Sequence, residues 1–231
     1  MALFESYERR IDQINAELKN HGIASIEEAK KICGREIIES GAVILDEQLV
    51  VMGEFKTLVK PQYNKVIYPR YESLTGISTN MVVGAPVFNT AYEMFVNWCE
   101  SYGEDYEVYA WSENDYNQLV AEMELKGYSN EEMKKPLTRW YDFQKEYMNK
   151  LGLEKVLSLE KAVNYAGMEF QGKIHDALWD AKNTAELFAI VRDEEECNRV
   201  LNSVIDAFQT KKVTSTLGEL FDFEKLLAQL A

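Results

Sequence analysis

The chain has 231 residues, 46% of them apolar and 28% charged, with a formal net charge of −14. That length supports one sizeable core, or one domain with appendages, and without an apolar run of about 18 residues no membrane-spanning helix is expected. A surface this acidic repels phosphate backbones at long range, which argues against non-specific duplex binding but not against a site that holds a short nucleic-acid end through metal ions. The charged opening MALFESYERR does not fit a signal peptide, so a cytoplasmic protein with no membrane partner is expected. Cys33, Cys99 and Cys197 form no C-x-x-C pair. They read as buried thiols in a reducing compartment rather than as a disulfide or zinc framework.

Residues 3–18 fit an amphipathic helix, with Phe4, Tyr7, Ile11, Ile14 and Leu18 at spacings of three and four. This stripe is also a candidate homodimer contact through residues 4–18. Gly22 is a stop, and Ser25 with Glu28 fits a capping box opening a short helix to Cys33. The pattern then turns β-rich. Glu36–Leu45 and Leu49–Val59 predict two strands joined by a turn at Asp46-Glu47-Gln48. Loop and short-helix character follows over Pro69–Ser78. Pro86–Ser101 predicts an amphipathic helix, Glu107–Trp111 a short buried strand and Asp115–Leu125 a helix. Further helices are predicted over Pro136–Leu151, Ser158–Ala166, Ile174–Val191, Glu194–Gln209 and Leu217–Leu230. Early strands followed by helices and another strand point to a mixed α/β or α+β layer fold.

Three pieces carry candidate chemistry: Leu74-Thr75-Gly76-Ile77, Trp111-Ser112-Glu113-Asn114-Asp115, and His175-Asp176-Ala177-Leu178-Trp179-Asp180-Ala181. If the last helix starts near Asp176, Asp180 lies on it and His175 stands at its mouth. A carboxylate there can bind a metal while the imidazole, with an ordinary pKa of about 6.5, takes a proton from water. Asp115 follows a strand end, where open sheets place ligand crevices. Two carboxylates and a histidine suit Mg²⁺ or Mn²⁺. Taken singly, each signal also has a plain structural meaning. Asp115 reads as a helix cap, His175 as a local hydrogen-bonding group, Thr75-Gly76 as a turn, and Trp140, Tyr141 and Phe143 as core.

In order and spacing, the three pieces resemble the DEDDh family of 3′–5′ exonucleases in the ribonuclease H-like superfamily, most of all its ERI-1-like and KapD-like branch. The phrases Glu36-Ile37-Ile38-Glu39-Ser40-Gly41-Ala42-Val43, Phe55-Lys56-Thr57-Leu58-Val59-Lys60-Pro61, Trp140-Tyr141-Asp142-Phe143 and Ser158-Leu159 support it, over about residues 35–192. The resemblance implies a ribonuclease H-like mixed sheet flanked by helices. It implies two-metal hydrolysis of phosphodiesters from the 3′ end of single-stranded RNA or DNA. By the same resemblance Asp115 and Asp180 would hold metal, His175 would activate water, and Leu74 and Thr75 would contact the terminal nucleotide.

The chain departs from the family at its first motif. The family opens with a strand carrying Asp-x-Glu ahead of the Glu36 phrase, whereas residues 26–35 here read IEEAKKICGR. The expected sheet therefore lacks its first central strand, leaving the Glu36 hairpin and the Val108 strand without the neighbour between them. The carboxylates left are too few to fix a metal pair about 4 Å apart. Glu36 and Glu39 are candidates to replace the absent acids, although Glu39 matches a structural position. The first 33 residues resemble the amino terminus of the GGGtGRT family. Three segments are therefore expected: a helical piece of foreign appearance over 1–33, an exonuclease-like domain over 34–192 and a helical tail over 193–231. The expected function is that of an exonuclease-family protein with weak or absent activity. The alternatives are a non-catalytic nucleic-acid- or partner-binding module, or a chimeric or truncated product.

Overall fold

The computed structural model describes residues 33–209, apart from Glu154. The helices expected over 3–18 and up to Cys33, the dimer stripe, the foreign-looking segment and the Leu217–Leu230 helix lie outside the described residues.

Strands β1 (Glu39–Leu45) and β2 (Val51–Leu58) form the expected antiparallel hairpin, with Ala42 opposite Phe55. The register slips between Ile44 and Leu45, and Leu49 takes a left-handed φ of 63° in the connecting loop. The first strand begins at Glu39 rather than Glu36 because the preceding backbone is engaged elsewhere. The Ile37 N–H donates to the Glu122 carboxylate, and the Glu36 carboxylate accepts the N–H groups of Gln62 (2.8 Å) and Tyr63 (2.9 Å). Helices α1 (Pro69–Thr75) and α2 (Thr79–Val82) fill the expected loop region, and α3 (Phe88–Glu100) buries Phe88, Tyr92, Phe95, Val96 and Cys99.

Strand β3 (Val108–Ala110) leads through Ser112, whose hydroxyl caps the next helix by accepting from Asn114 N, into α4 (Glu113–Leu125). The single helix expected over Pro136–Leu151 is instead three elements. A 3₁₀ segment, Glu132–Arg139, holds Pro136; β4 (Trp140–Asp142) pairs in parallel with β3; and α5 spans Phe143–Leu151. Two local preferences outweigh the helical period. Trp140 and Tyr141 favour extended backbone, and Asp142 caps α5 by accepting from Lys145 N at 2.9 Å. Helices α6 (Leu159–Tyr165), α7 (Ala177–Arg192) and α8 (Glu194–Gln209) complete the chain.

The fold is mixed α/β, with two small sheets of order β1-β2 and β3-β4 among many helices. One core joins the hairpin to α3 and α4 through Phe55, Val59, Phe95 and Met123. A second packs Phe143, Tyr147, Val163, Leu187, Val200 and Val204 from α5, α6, α7 and α8, and a small third one gathers Ile67, Ile77 and Val82. Cys197, Val200 and Val204 of α8 thus share the core of the preceding helices. All three cysteines are free and buried, and burial pushes the Cys99 thiol up to about 12. Among the described residues no helix is long and apolar enough to cross a membrane.

Candidate active site

A cleft of about 1980 Å³ lies between the two sheets. Residues 39–46 of the hairpin form one wall and Glu107 to Trp111 another, and the mouth of α7 closes the end. Asp115, His175 and Asp180 all line it. Each arrives by a different local device. Asp115 sits in the first turn of α4, just past the C-terminal end of β3. Asp180 sits in the first turn of α7. His175 occupies the turn before it with φ 67°, a left-handed conformation uncommon outside glycine and enriched at functional sites.

The turn carrying His175 is fixed from several sides. Asp176 caps α7, its Oδ1 accepting from Leu178 N (3.2 Å) and Trp179 N (3.3 Å). Glu39 on β1 accepts the Ala177 N–H at 2.9 Å. The Lys56 ammonium on β2 bridges Glu39 (3.1 Å) and Asp176 (2.6 Å). Desolvation opposes ionisation of Asp176, but Lys56 and the two helix N–H groups outweigh it and hold its carboxyl below the ordinary range. Gly41 lets the start of α7 rest on β1, since a Cβ there would lie 2.3 Å from Leu178 N. Gly172, at φ 74°, makes room for the Trp179 ring in the same way.

The two cleft carboxylates differ from these engaged acids. Asp115 is open to the cleft yet ringed by protein, and partial desolvation raises its carboxyl above the ordinary range. Asp180 is pushed up to about 6, first by desolvation. The negative charges of Asp176 and Asp115 add to that rise, while the His175 backbone N–H, donated to the Asp180 carboxylate, offsets part of it. Neither Asp115 nor Asp180 forms an ion pair with lysine or arginine among the described residues.

Leu74 and Thr75 do not line the cleft. Leu74 is exposed on α1, and the Thr75 hydroxyl donates to Tyr71 O and accepts from Ile77 N. Their turn does lie against the loop before His175, since a Cβ at Gly76 would fall 2.6 Å from Lys173 Nζ. Glu36 is not a replacement ligand, because its carboxylate is committed to the 62–64 backbone and to Lys126 at 3.0 Å. Glu39 is structural, as expected from its place in the sequence. Sequence reasoning missed the Lys56–Asp176 contact, which spans 120 positions and leaves no local signal. Asp176 itself was legible as a cap, standing just before an apolar helical run. Also missed was an aromatic patch on the cleft wall. There Tyr109 stacks on Tyr141 (5.1 Å between centroids) and leans on Phe188, and the Arg192 guanidinium lies 4.3 Å from the Phe188 ring centroid.

A profile of the exonuclease family RNase_T matches residues 29–188. The chain belongs to that family. ERI1 exoribonuclease 2 of Danio rerio is 32% identical over 179 residues, which cover 68% of this chain and 31% of that protein. 3′-5′ exoribonuclease 1 of Homo sapiens is 25% identical over 196 residues, 79% of this chain and 53% of that one. The chain thus spans about half or less of the length of these curated relatives. The fold matches the nuclease domain of 3′hExo, a DEDDh family member solved with rAMP, at a TM-score of 0.61 and 24% identity, over 70% of this chain and 83% of that one. It also matches a 3′-exonuclease solved in 3′-end-specific recognition of a histone mRNA stem-loop, at a TM-score of 0.60 and 21% identity, over 69% and 72%. The resemblance to DEDDh 3′–5′ exonucleases and the ribonuclease H-like fold are both borne out.

DEDDh exonucleases generally use divalent metal ions. The donor set here falls short of that use. Among the described residues no three His, Cys, Asp or Glu side chains gather closely enough to hold a metal ion. Asp115 and Asp180 have the right chemistry, being oxygen donors without a protein cation, but a metal pair needs more carboxylates than these two.

Proposed function

We propose that this cleft receives the 3′ end of a single-stranded RNA, and that hydrolysis there depends on a carboxylate donor beyond the described residues. The observation that carries the reading is the meeting of Asp115, His175 and Asp180 in one cleft of an exonuclease-family chain. In this reading Asp115 and Asp180 contribute to a Mg²⁺ or Mn²⁺ site, and His175 takes the proton of the attacking water. The loop braced by Lys56, Glu39 and Asp176 holds that imidazole in position. The aromatic patch of Tyr109 and Tyr141 offers a face for base stacking, worth about 1–3 kcal/mol per base in other proteins. The relatives' names favour RNA over DNA.

The test is trimming of 3′-labelled single-stranded RNA and DNA by the full chain with Mn²⁺, alongside titration of the same strands at low salt. RNA with a free 3′ end binds, and His175→Ala lowers any turnover by about 10²-fold or more while leaving binding in place. No affinity for single-stranded ends, or turnover indifferent to His175→Ala, overturns the proposal. Binding with no turnover at all favours the second reading, a non-catalytic RNA-binding module, which the two-carboxylate donor set supports.

A further inference from the structure

His175 reaches the mouth of α7 on a short loop whose two ends are held by different means. At the far end Asp176 caps the helix, and Glu39 and Lys56 tie that cap to the hairpin. At the near end the hold comes from Asn183, a residue in the middle of α7. Asn183 is 0% exposed. Its Oδ1 accepts the Gln171 N–H at 2.9 Å, and its Nδ2 donates to Gln171 O at 2.9 Å and to Trp179 O at 2.7 Å. Both side-chain N–H donors and the acceptor are thus in use, and one side chain takes both backbone polar groups of Gln171. Asparagine is a poor residue for a helix interior, and burying its amide is costly unless it is bonded. Neither helix propensity nor apolar packing accounts for an asparagine at this place, whereas the hold on Gln171 does.

Only Gly172, Lys173, Ile174 and His175 lie between the two held points, Gln171 and Asp176. Gly172 and His175 both take left-handed φ values, 74° and 67°. For a residue other than glycine such a conformation persists only where its surroundings over-determine it. The Trp179 ring packs directly against Gly172. That ring is held in turn, because the Lys182 ammonium lies 4.7 Å from its centroid and pairs with Glu54 on β2 at 2.8 Å. From this we infer that Asn183 is a positioning residue: it clamps the near end of the loop to α7, so that His175 and Asp180 are carried as one rigid body. Asp176, Asp180 and Asn183 all belong to the start and middle of α7, so both pins of the loop are referred to the helix that bears the carboxylate. Asn183 itself does not line the cleft. The inference rests on the proposed function for the work His175 does, and adds to it a residue that acts only through the loop.

The test compares three variants of the full chain. Asn183→Ala removes the clamp, and the milder Asn183→Ser leaves one oxygen that cannot serve both Gln171 groups. Leu187→Ala is the control, emptying a core position of the same helix. Residue-resolved amide hydrogen exchange is read first and needs no activity. In both Asn183 variants the Gln171 and His175 N–H groups exchange faster by about tenfold or more, relative to the Ala189 N–H farther along α7. In Leu187→Ala that ratio stays as in the natural sequence. An unchanged ratio in the Asn183 variants overturns the inference, and so does an equal rise in Leu187→Ala, which would reduce Asn183 to general packing. Trimming of single-stranded RNA with Mn²⁺ is read second, below the melting temperature of every variant. In Asn183→Ala kcat falls by about 10²-fold while KM changes by less than about threefold, and Leu187→Ala keeps kcat near the natural value. The two readings fail separately: faster exchange at Gln171 and His175 in a chain that neither binds nor trims RNA removes the proposed function alone, and His175-dependent trimming with kcat indifferent to Asn183→Ala removes the clamp alone.

Discussion

Two pairs of acidic side chains in this molecule have opposite surroundings. Glu36 and Glu122 are sealed from solvent and share the Lys126 ammonium, whose own side chain is 2% exposed. Their remaining oxygens take backbone N–H groups from Ile37, Gln62, Tyr63 and Asn64. Asp115 and Asp180 face a wide cleft and are ion-paired with no lysine or arginine among the described residues, and both carboxyls are raised. The first pair is finished within the chain and serves stability. The second raises the free energy of the fold and is suited to a ligand of positive charge. Burial alone does not mark a site; what sets the cleft pair apart is carboxylates without a paired counter-charge.

The sharpest way to break the contrast is to remove the built-in cation. Lys126→Met leaves two buried carboxylates uncompensated and costs about 3–5 kcal/mol, read as a lower urea midpoint. A neutral result would mean that the first pair is no more satisfied than the second. Next in size is Gly41→Ala, which pushes a methyl group into the α7 backbone and costs about 1–3 kcal/mol. It shows as a lower melting temperature, together with loss of any RNA binding, because α7 carries one acid of the second pair.

The pairs also differ in acid. Desolvation disfavours the charged form of Glu36, but the Asn64 and Gln62 N–H groups and Lys126 outweigh it and hold its carboxyl below its ordinary 4.5. A depressed folded-state pKa contributes stability that is fully present above the unfolded value and is lost as pH falls through the folded one. Urea midpoints therefore fall below about pH 4.5 in the natural sequence, and more gently in Glu36→Gln, which starts from a lower value at pH 7. The smallest expected effect has the reverse sign. Asp180→Asn stabilises the metal-free protein at pH 7, by about 0.5–1 kcal/mol, while Asp115→Asn or Asp180→Asn lowers Mn²⁺ affinity in calorimetry.

Much of this was legible in the sequence. The hairpin, the helix over Phe88–Glu100, the strand before Asp115 and the helix ending at Gln209 follow from period and capping alone. The family phrases brought Asp115, His175 and Asp180 to one neighbourhood. The helix expected through Trp140 failed because a three-residue strand has too few positions to display a period, and its identity is decided by pairing with Val108 to Ala110. The fate of Glu36 was hidden for a related reason. Its partners at residues 62–64 and 126 are brought in by tertiary packing, so nothing near it in sequence distinguishes a buried, neutralised carboxylate from a free one.

The last described helix carries a further consequence. Cys197, Val200 and Val204 of α8 are nearly inaccessible and sit in the same core as Phe143 and Leu187, although the family match ends at residue 188. Shortening the chain to that boundary would lay bare an oily surface beneath α5, α6 and α7. The half of the molecule that holds Asp180 is therefore expected to melt as one cooperative unit with a helix the family match leaves out.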